Sequence, residues 1–138
     1  MSSHAREWTV GTHHAWLEPP NILWTKVRGH TSLADAVALL EIYRELGAQR
    51  PIIVVTDLSE ATSVDLTARD HVSWNLRMEW FQASVYIGAS LSQRAVASSM
   101  TFLHSLRGKA SRIQHFVSTP QEAREFIAQE RSLHDTRP

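Results

Sequence analysis

The sequence contains no cysteine among its 138 residues, and this absence removes a whole group of functions. Disulfide bonds, thiolate catalysis and zinc sites with cysteine ligands all require a thiol, so none of them can occur in this chain. No apolar stretch approaches the roughly 20 residues needed to cross a bilayer, and residues 1–8 lack the apolar core of a signal peptide. We therefore expect a soluble, cytoplasmic protein without a membrane span.

Excess charge of one sign is also missing, because 14 basic residues balance 14 acidic ones. A chain with neither net charge nor a basic block has no electrostatic attraction for nucleic acid or for an anionic membrane surface, so we expect neither as a partner. Hydrophobic residues make up 43% of the chain, as is typical of globular proteins. We expect a single domain over residues 1–138, with an ordered core at about 7–130.

Recognisable catalytic and metal-binding patterns are scarce. The chain has eight histidines, but none forms an HExxH or His-x-His pattern, and the neighbours His13 and His14 would point to opposite faces of a strand. The nearest match to a nucleophile elbow, GASLS at 88–92, has Ser92 where the pattern needs glycine. We therefore predict no catalytic residues, no metal and no cofactor, and a protein that is not an enzyme.

What the sequence does contain is an alternation of strand-like and helix-like segments. Residues 7–17 and 21–28 are rich in β-branched and aromatic residues and flank a turn-forming cluster, which predicts a hairpin. Ser32 and Asp35 are suited to cap the helix that follows, and Gly47 to end it. Further strands are predicted at 51–59, 83–89 and 113–118, and further helices at 65–80, from Ser90 or Ser92 to Gly108, and from a capping box at Thr119 and Glu122.

The predicted order is therefore β-β-α-β-α-β-α-β-α. Strands that alternate with helices after an initial hairpin imply an α/β fold with a mixed sheet, largely parallel in its later part. We expect about five strands covered by about four helices.

This order resembles the SpoIIAA-like or STAS fold, named for sulfate transporters and anti-sigma-factor antagonists, over about residues 7–130. STAS domains carry a strand ending in Asp-Leu-Ser and then Asp-Ser-Ser-Gly at a helix start. Residues 54–70, VVTDLSEATSVDLTARD, supply Asp57, Leu58 and Ser59, and then Asp65 at the matching distance. The chain looks closest to stand-alone bacterial proteins described as STAS/Sec14-like. The resemblance implies a non-enzymatic protein-interaction module in a cytoplasmic regulatory assembly.

The sequence departs from this pattern at Leu66. In the signalling antagonists of the family, a serine at this position accepts a phosphate, and the modification releases the partner. Leu66 has no hydroxyl, so phosphorylation at the usual position is impossible. Thr67 lies about 100° further round the helix, and modification of Thr67 or of Ser59 stays open.

The acidic and polar residues near the strand ends have simple structural interpretations. Asp57 could act as a base or a cation ligand, but a carboxylate there more often accepts backbone N–H groups of its own loop. Asp65 suits a helix N-cap. Ser90, Ser92 and Arg94 could bind an anion at a helix start, although a capping serine and a solvated arginine are the simpler interpretation.

The predicted second helix carries apolar residues around more of its circumference than a helix on a sheet needs. Either it lies in a deep groove, or part of it is an exposed binding surface. The predicted partner- or ligand-binding surface is formed by Asp57, Ser59, Asp65, Thr67, Trp74, Met78 and Phe81.

Two functions follow from this surface. The first is binding of a regulatory protein partner, with a homodimer as a compatible arrangement. The alternative, implied by the Sec14-like resemblance, is a carrier or sensor of an apolar small molecule or lipid. It predicts a cavity between helix 65–80 and the sheet.

Overall fold

The computed structural model describes residues 6–106 and 113–135, which form a six-stranded sheet with helices on both faces. The strands are β1 (Arg6–Val10), β2 (His13–Glu18), β3 (Ile22–Thr31), β4 (Ile52–Val64), β5 (Phe81–Ile87) and β6 (Ile113–Val117). The helices are α1 (Leu33–Gln49), α2 (Leu66–Asn75), α3 (Leu91–Leu106) and α4 (Pro120–Asp135). A short 3₁₀ turn, Met78–Trp80, connects α2 to β5.

The strands lie in the sheet in the order in which they occur along the chain. β1, β2 and β3 pair antiparallel, and β3 to β6 pair parallel, which confirms the predicted mixed sheet. Parallel crossovers are almost always right-handed, so three successive crossovers in one direction place α1, α2 and α3 on the same face. The helix α4 follows the last strand and packs on the opposite face.

Each face of the sheet has its own apolar core. On the three-helix face, Leu40 and Leu46 of α1 pack against Val54 of β4. On the other face, Ala123 and Ile127 of α4 pack against a separate set of strand residues. Because β4 is covered on both sides, its first four residues, Ile52 to Val55, are all buried, as predicted for a strand between two helical layers.

The described residues form six strands and not five, because the predicted strand at 7–17 folds back on itself. Gly11 and Thr12 form a two-residue turn between β1 and β2, and Gly11 has a φ of +59°. L side chains rarely adopt this conformation. A Cβ on Gly11 would also stand 2.6 Å from Asp35 Oδ1. A glycine inside a run of strand-forming residues is the sequence signal for such a turn.

The polar stretch after the predicted strand 51–59 is not a loop but a continuation of β4 to Val64. It pairs with the ten-residue β3 through two register shifts, one of them between Gly29 and His30. Gly29 has a φ of +69°, so it can adopt the irregular backbone of a bulged strand pair. The long neighbouring strand provides the hydrogen-bonding edge that keeps these polar residues extended.

The second helix is shorter than the predicted 65–80. α2 ends at Asn75, and β5 begins at Phe81. Met78, Trp80 and Phe81 are all buried, because after α2 the chain descends to the sheet. The predicted helix 65–80 carried apolar residues around most of its circumference because these residues belong to three elements, a helix, a 3₁₀ turn and a strand.

The predicted helix starts are confirmed. The Asp35 N–H donates to Ser32 Oγ at 3.1 Å, and the Gln93 N–H donates to Ser90 Oγ at 3.2 Å. The Glu122 N–H donates to Thr119 Oγ1 at 3.1 Å. The predicted helix end at Gly47 is wrong, since α1 continues to Gln49. Gly108 lies outside the described residues.

Candidate ligand-binding site

A cavity of about 690 Å³ lies between the three-helix face of the sheet and the helices α1, α2 and α3. Cavities of this size hold small molecules in many proteins. Its described lining residues come from β3, β4, β5 and β6 and from all three helices. The alternative function proposed from the sequence requires a cavity at this position, between the second helix and the sheet.

The end of the cavity beside the amino ends of β4 and β5 is apolar. α1 contributes two leucines and the ring of Tyr43, and the strands contribute Val54 and Phe81. The other apolar lining residues here are Val72, Leu76 and Met78. This end offers a ligand almost entirely hydrocarbon surface.

Towards the carboxyl ends of the strands, the lining becomes rich in hydroxyl and amide groups. The polar residues of this end are Thr56, Ser59, Thr62, Ser63, Ser84, Tyr86, Ser90, Ser92, Gln93 and Gln114. Thr56 and Ser84 lie on neighbouring strands, and in the described part of the chain neither hydroxyl has a hydrogen-bond partner. These two hydroxyls can therefore bind a polar group of a ligand.

Both cavity tyrosines are neutral at neutral pH, because even the ordinary tyrosine pKa of 10.0 lies well above it, and burial raises the pKa of each further. Burial raises the pKa of Tyr43 to about 12, against a smaller opposing effect of the Thr25 hydroxyl and a small further rise from Tyr86. The buried Thr25 Oγ1 itself has no hydrogen-bond partner among the described residues. Burial likewise raises the pKa of Tyr86, and the polar side chain of Gln114 opposes this rise. Both phenols therefore remain O–H donors at neutral pH.

Arg69 carries the only charged side chain among the described residues that line the cavity, and no carboxylate lines it. Arg69 lies in the first turns of α2, which begins where β4 ends, so it belongs to the polar end. Its guanidinium makes no ion pair with the described residues. No group of three or more metal-ligating side chains occurs in those residues.

A hydrogen-bond network at the rim joins β3, β4 and α2. His30 Nδ1 lies 2.7 Å from Ser63 Oγ, and His30 Nε2 lies 2.9 Å from Asp65 Oδ1. The connectivity is that of a Ser–His–Asp triad, but the side chains of His30 and Asp65 are 47% and 45% exposed. Ser63 also lies on a strand instead of the strained turn that presents a nucleophilic serine. We interpret the network as a structural one that connects β3, β4 and the start of α2 at the protein surface.

Asp65 occupies the predicted N-cap position of α2, but its side chain does not cap the helix. The carboxylate is bonded to His30 instead. Asp57 behaves as expected from the sequence, since its Oδ1 accepts the Ser59 N–H at 3.0 Å and the Ser59 hydroxyl at 2.6 Å.

The structure brings part of the predicted binding surface into the cavity. Ser59, Met78 and Phe81 line it, together with Ser90 and Ser92 of the separately predicted anion site. The predicted residues Asp57, Asp65, Thr67, Trp74 and Arg94 are not among the lining residues. The Arg94 guanidinium lies over the Phe116 ring at 5.1 Å, and its Nε donates to Ala89 O at 3.4 Å, so it contacts a ring and a carbonyl of this chain instead of the cavity.

Several lining residues could not be singled out from the sequence, notably Tyr43, Thr56, Arg69 and Ser84. They are far apart in the chain, and only the crossovers bring them together. One signal was available in β5, where Ser84 and Tyr86 alternate with the buried Ala83 and Val85. In a strand covered on both faces, polar residues on one side indicate a polar-lined space.

Solved structures identify the fold. The anti-sigma factor antagonist SpoIIAA in its unphosphorylated form aligns with a TM-score of 0.61 over 84% of this chain and 97% of that chain, at 10% identity. An uncharacterized DUF3478-family protein with a SpoIIAA-like fold, from Shewanella loihica PV-4, aligns with a TM-score of 0.58 over 81% and 88%, at 14% identity. The fold is SpoIIAA-like. No protein-family model and no curated protein matches the sequence. The predicted SpoIIAA/STAS-like fold is thus confirmed by the backbone arrangement.

Proposed function

We propose that this SpoIIAA-like protein is a non-enzymatic carrier or sensor that binds an apolar or amphipathic small molecule between the sheet and α1, α2 and α3. The observation that supports the proposal is the cavity of about 690 Å³ with one apolar end. Protein interiors are close-packed, and voids larger than a water molecule are few. An apolar ligand would regain the dispersion contacts that the lining side chains lack around an open space.

Two alanines on α3 provide a matched test. Ala97 lines the cavity and is buried, whereas Ala95 is exposed and is not among the lining residues. An apolar fluorescent probe such as phenylnaphthylamine should bind the wild type, and Ala97→Phe should weaken that binding by about tenfold or more, which corresponds to about 1.4 kcal/mol. Ala95→Phe should leave the affinity unchanged.

Thermal melting of each variant shows whether it is folded. If Ala97→Phe does not fold, Val96→Phe places a ring in the same cavity from the neighbouring position. Probe binding that is equal in wild type and folded cavity variants would reject the proposal, as would no binding to the wild type. Native mass spectrometry of freshly purified protein adds a second readout, because a reproducible co-purifying mass supports a carrier.

Exposed apolar residues on α2 favour a second function, a protein-interaction module in a cytoplasmic bacterial regulatory assembly. Leu66 is 69% and Trp74 is 74% exposed, and eight residues of helix place them two turns apart along α2 and about 80° apart around it. Aromatic side chains are enriched in protein interfaces. The SpoIIAA-like fold is compatible with this role. No helix in the described residues is long and apolar enough to span a membrane.

The interaction function is tested by pull-down from a native lysate with wild type and Trp74→Ala. Met78 is left intact, because it is buried and its loss would damage the core. Asp70→Ala on the same helix is the control, since Asp70 is also exposed. Loss of a partner with Trp74→Ala alone would support the interaction surface, and three identical partner profiles would argue against it. In this proposal the module acts without a phosphate at position 66, where Leu66 has no hydroxyl.

A further inference from the structure

We propose that the ligand of the cavity is an amphipathic anion, with an apolar body at the amino ends of β4 and β5 and an anionic head group beside Arg69. This inference rests on the proposed small-molecule function and goes beyond it by naming the chemical class and the orientation of the ligand.

The change of polarity along the strands supports an amphipathic ligand. Val54 pairs with Ser84, and Thr56 pairs with Tyr86 one pleat further on. Along β4 the lining therefore changes from the hydrocarbon of Val54 to the hydroxyl of Thr56 over two residues, or about 7 Å of strand. Along β5 it changes from Phe81 to Ser84. A wholly apolar ligand would leave the hydroxyls of Thr56 and Ser84 without partners, at a cost of about 1–3 kcal/mol for each group that it buries. A ligand with one apolar end and one polar end would place hydrocarbon against the apolar lining and give the hydroxyls a hydrogen-bond partner.

The charges of the described lining residues select the sign of the head group. Among the residues that the structure describes, Arg69 is the only charged one in the lining, and none of them places a carboxylate there that could neutralise a bound cation. Asp65 precedes Arg69 by four residues on the same side of α2, but its carboxylate is bonded to His30. The planar guanidinium of an arginine is suited to carboxylate or phosphate oxygens.

The remaining polar groups are also suited to an anion. Hydroxyl and amide side chains can all donate hydrogen bonds to an oxyanion. Tyr86 and Gln114 line the same end, and the Tyr86 phenol carries its proton at neutral pH, which lies far below its raised pKa. A phenol that is protonated at neutral pH is a donor for a head group and adds no competing negative charge.

The experiment compares four ligands with the same twelve-carbon chain: dodecanoate, dodecyl phosphate, dodecanol and dodecylammonium. Each is used below its micellar concentration to displace phenylnaphthylamine from the protein. We expect one or both anions to displace the probe at concentrations about tenfold or more below those of the alcohol and the amine. The ranking of carboxylate against phosphate identifies which head group the site prefers.

Arg69→Gln should remove the advantage of the anions and leave the affinity for dodecanol unchanged. Arg77→Gln is the matched control, because it removes the same charge from an exposed residue that does not line the cavity. Added salt should weaken binding of the anions but not of the alcohol, because it screens the charge of Arg69.

Three results separate the two proposals. Failure of the wild type to bind the probe or any of the four ligands would reject the small-molecule function itself. Probe binding with equal displacement by the four ligands, or with none, would reject the anion inference and leave that function standing. An anion preference that persists in folded Arg69→Gln protein would also overturn the inference.

Discussion

Trp80 packs against Gly47 so closely that a Cβ on residue 47 would clash with the Cβ of Trp80. Gly47 is therefore not the helix stop that its place in the sequence predicted, but the position where α1 approaches the 3₁₀ turn before β5. The contact helps to set how α1 lies on the sheet and so contributes to the shape of the cavity.

Gly47→Ala should destabilise the protein. Alanine in place of glycine gains about 1 kcal/mol of helix propensity, but overpacking costs about 1–3 kcal/mol. We expect a net loss of up to about 2 kcal/mol in the free energy of unfolding, measured by urea denaturation. Ala48→Gly, at the exposed next position, measures the propensity contribution alone. A Gly47→Ala protein more stable than the wild type would show that the contact relaxes freely.

Two adjacent histidines should differ sharply in their effect on stability. His13 is 1% exposed, and its Nδ1 accepts the Arg28 N–H at 3.0 Å, so in the neutral ring Nε2 carries the proton. That nitrogen lies 3.2 Å from Thr31 Oγ1. His13→Ala would leave a cavity and an unpaired backbone donor, so we expect a loss of about 2–4 kcal/mol in unfolding free energy.

His14 is the control for this prediction, because it lies on the opposite face of β2. It is half-exposed, and its Nε2 lies 3.3 Å from Glu7. Exposed ion pairs contribute about 1 kcal/mol or less, so His14→Ala should cost less than about 1 kcal/mol. Equal losses in the two variants would contradict the burial of His13.

The N-cap residues of α1 and α2 should also differ in their effect on stability. Ser32 and Asp35 form a reciprocal capping box at α1, whereas the Asp65 side chain makes no cap bond at α2. We expect Ser32→Ala to lower the free energy of unfolding by about 1 kcal/mol, and Asp65→Ala to lower it by less. A larger loss at Asp65, measured in the same denaturation assay, would show that its exposed bond to His30 contributes more than such pairs usually do.

Stability should decrease at high pH because of the tyrosines. Tyr43 and Tyr86 are the only two in the chain. Burial raises the pKa of Tyr43 to about 12 from an ordinary value of 10.0. The native state therefore holds a proton that the unfolded state releases between about pH 10 and 12, so the free energy of unfolding falls as pH rises through this window.

Phenolate absorbance during titration of the native protein checks this prediction. We expect both tyrosines to titrate above pH 10.0 in the native state and near that value in urea. Tyr43→Phe should reduce the dependence of stability on pH in this range. A native titration in which both groups have their midpoint near the ordinary value would contradict the burial of the two hydroxyls.

Local patterns predicted the helix starts correctly. The capping residues Ser32, Ser90 and Thr119 act through atoms only a few residues away, so the sequence around each cap contains all of the interaction. The element order and the mixed sheet were also predicted, because the alternation of strands and helices restricts the topology strongly. The turn at Gly11 was missed, although its signal was present.

The ends of the strands and helices were harder to predict from the sequence than their starts. β4 continues to Val64 because the neighbouring β3 is long, and α2 ends at Asn75 because Met78 and Trp80 are drawn into the core. In both cases a contact distant in sequence overrides the local preference, so the same residues could be interpreted as loop or helix until the fold was known.

The sequence by itself determined the α/β class, the capped helix starts and the absence of thiol chemistry, because these depend on residue identity or on short-range spacing. Only the tertiary structure decided that Ser59, Met78, Phe81 and Ser90 line one cavity and that Arg69 is its sole charged group in the described part of the chain. Three crossovers on one face bring these residues together, and side chains from strands and helices far apart in the chain meet in a space that no single segment encodes.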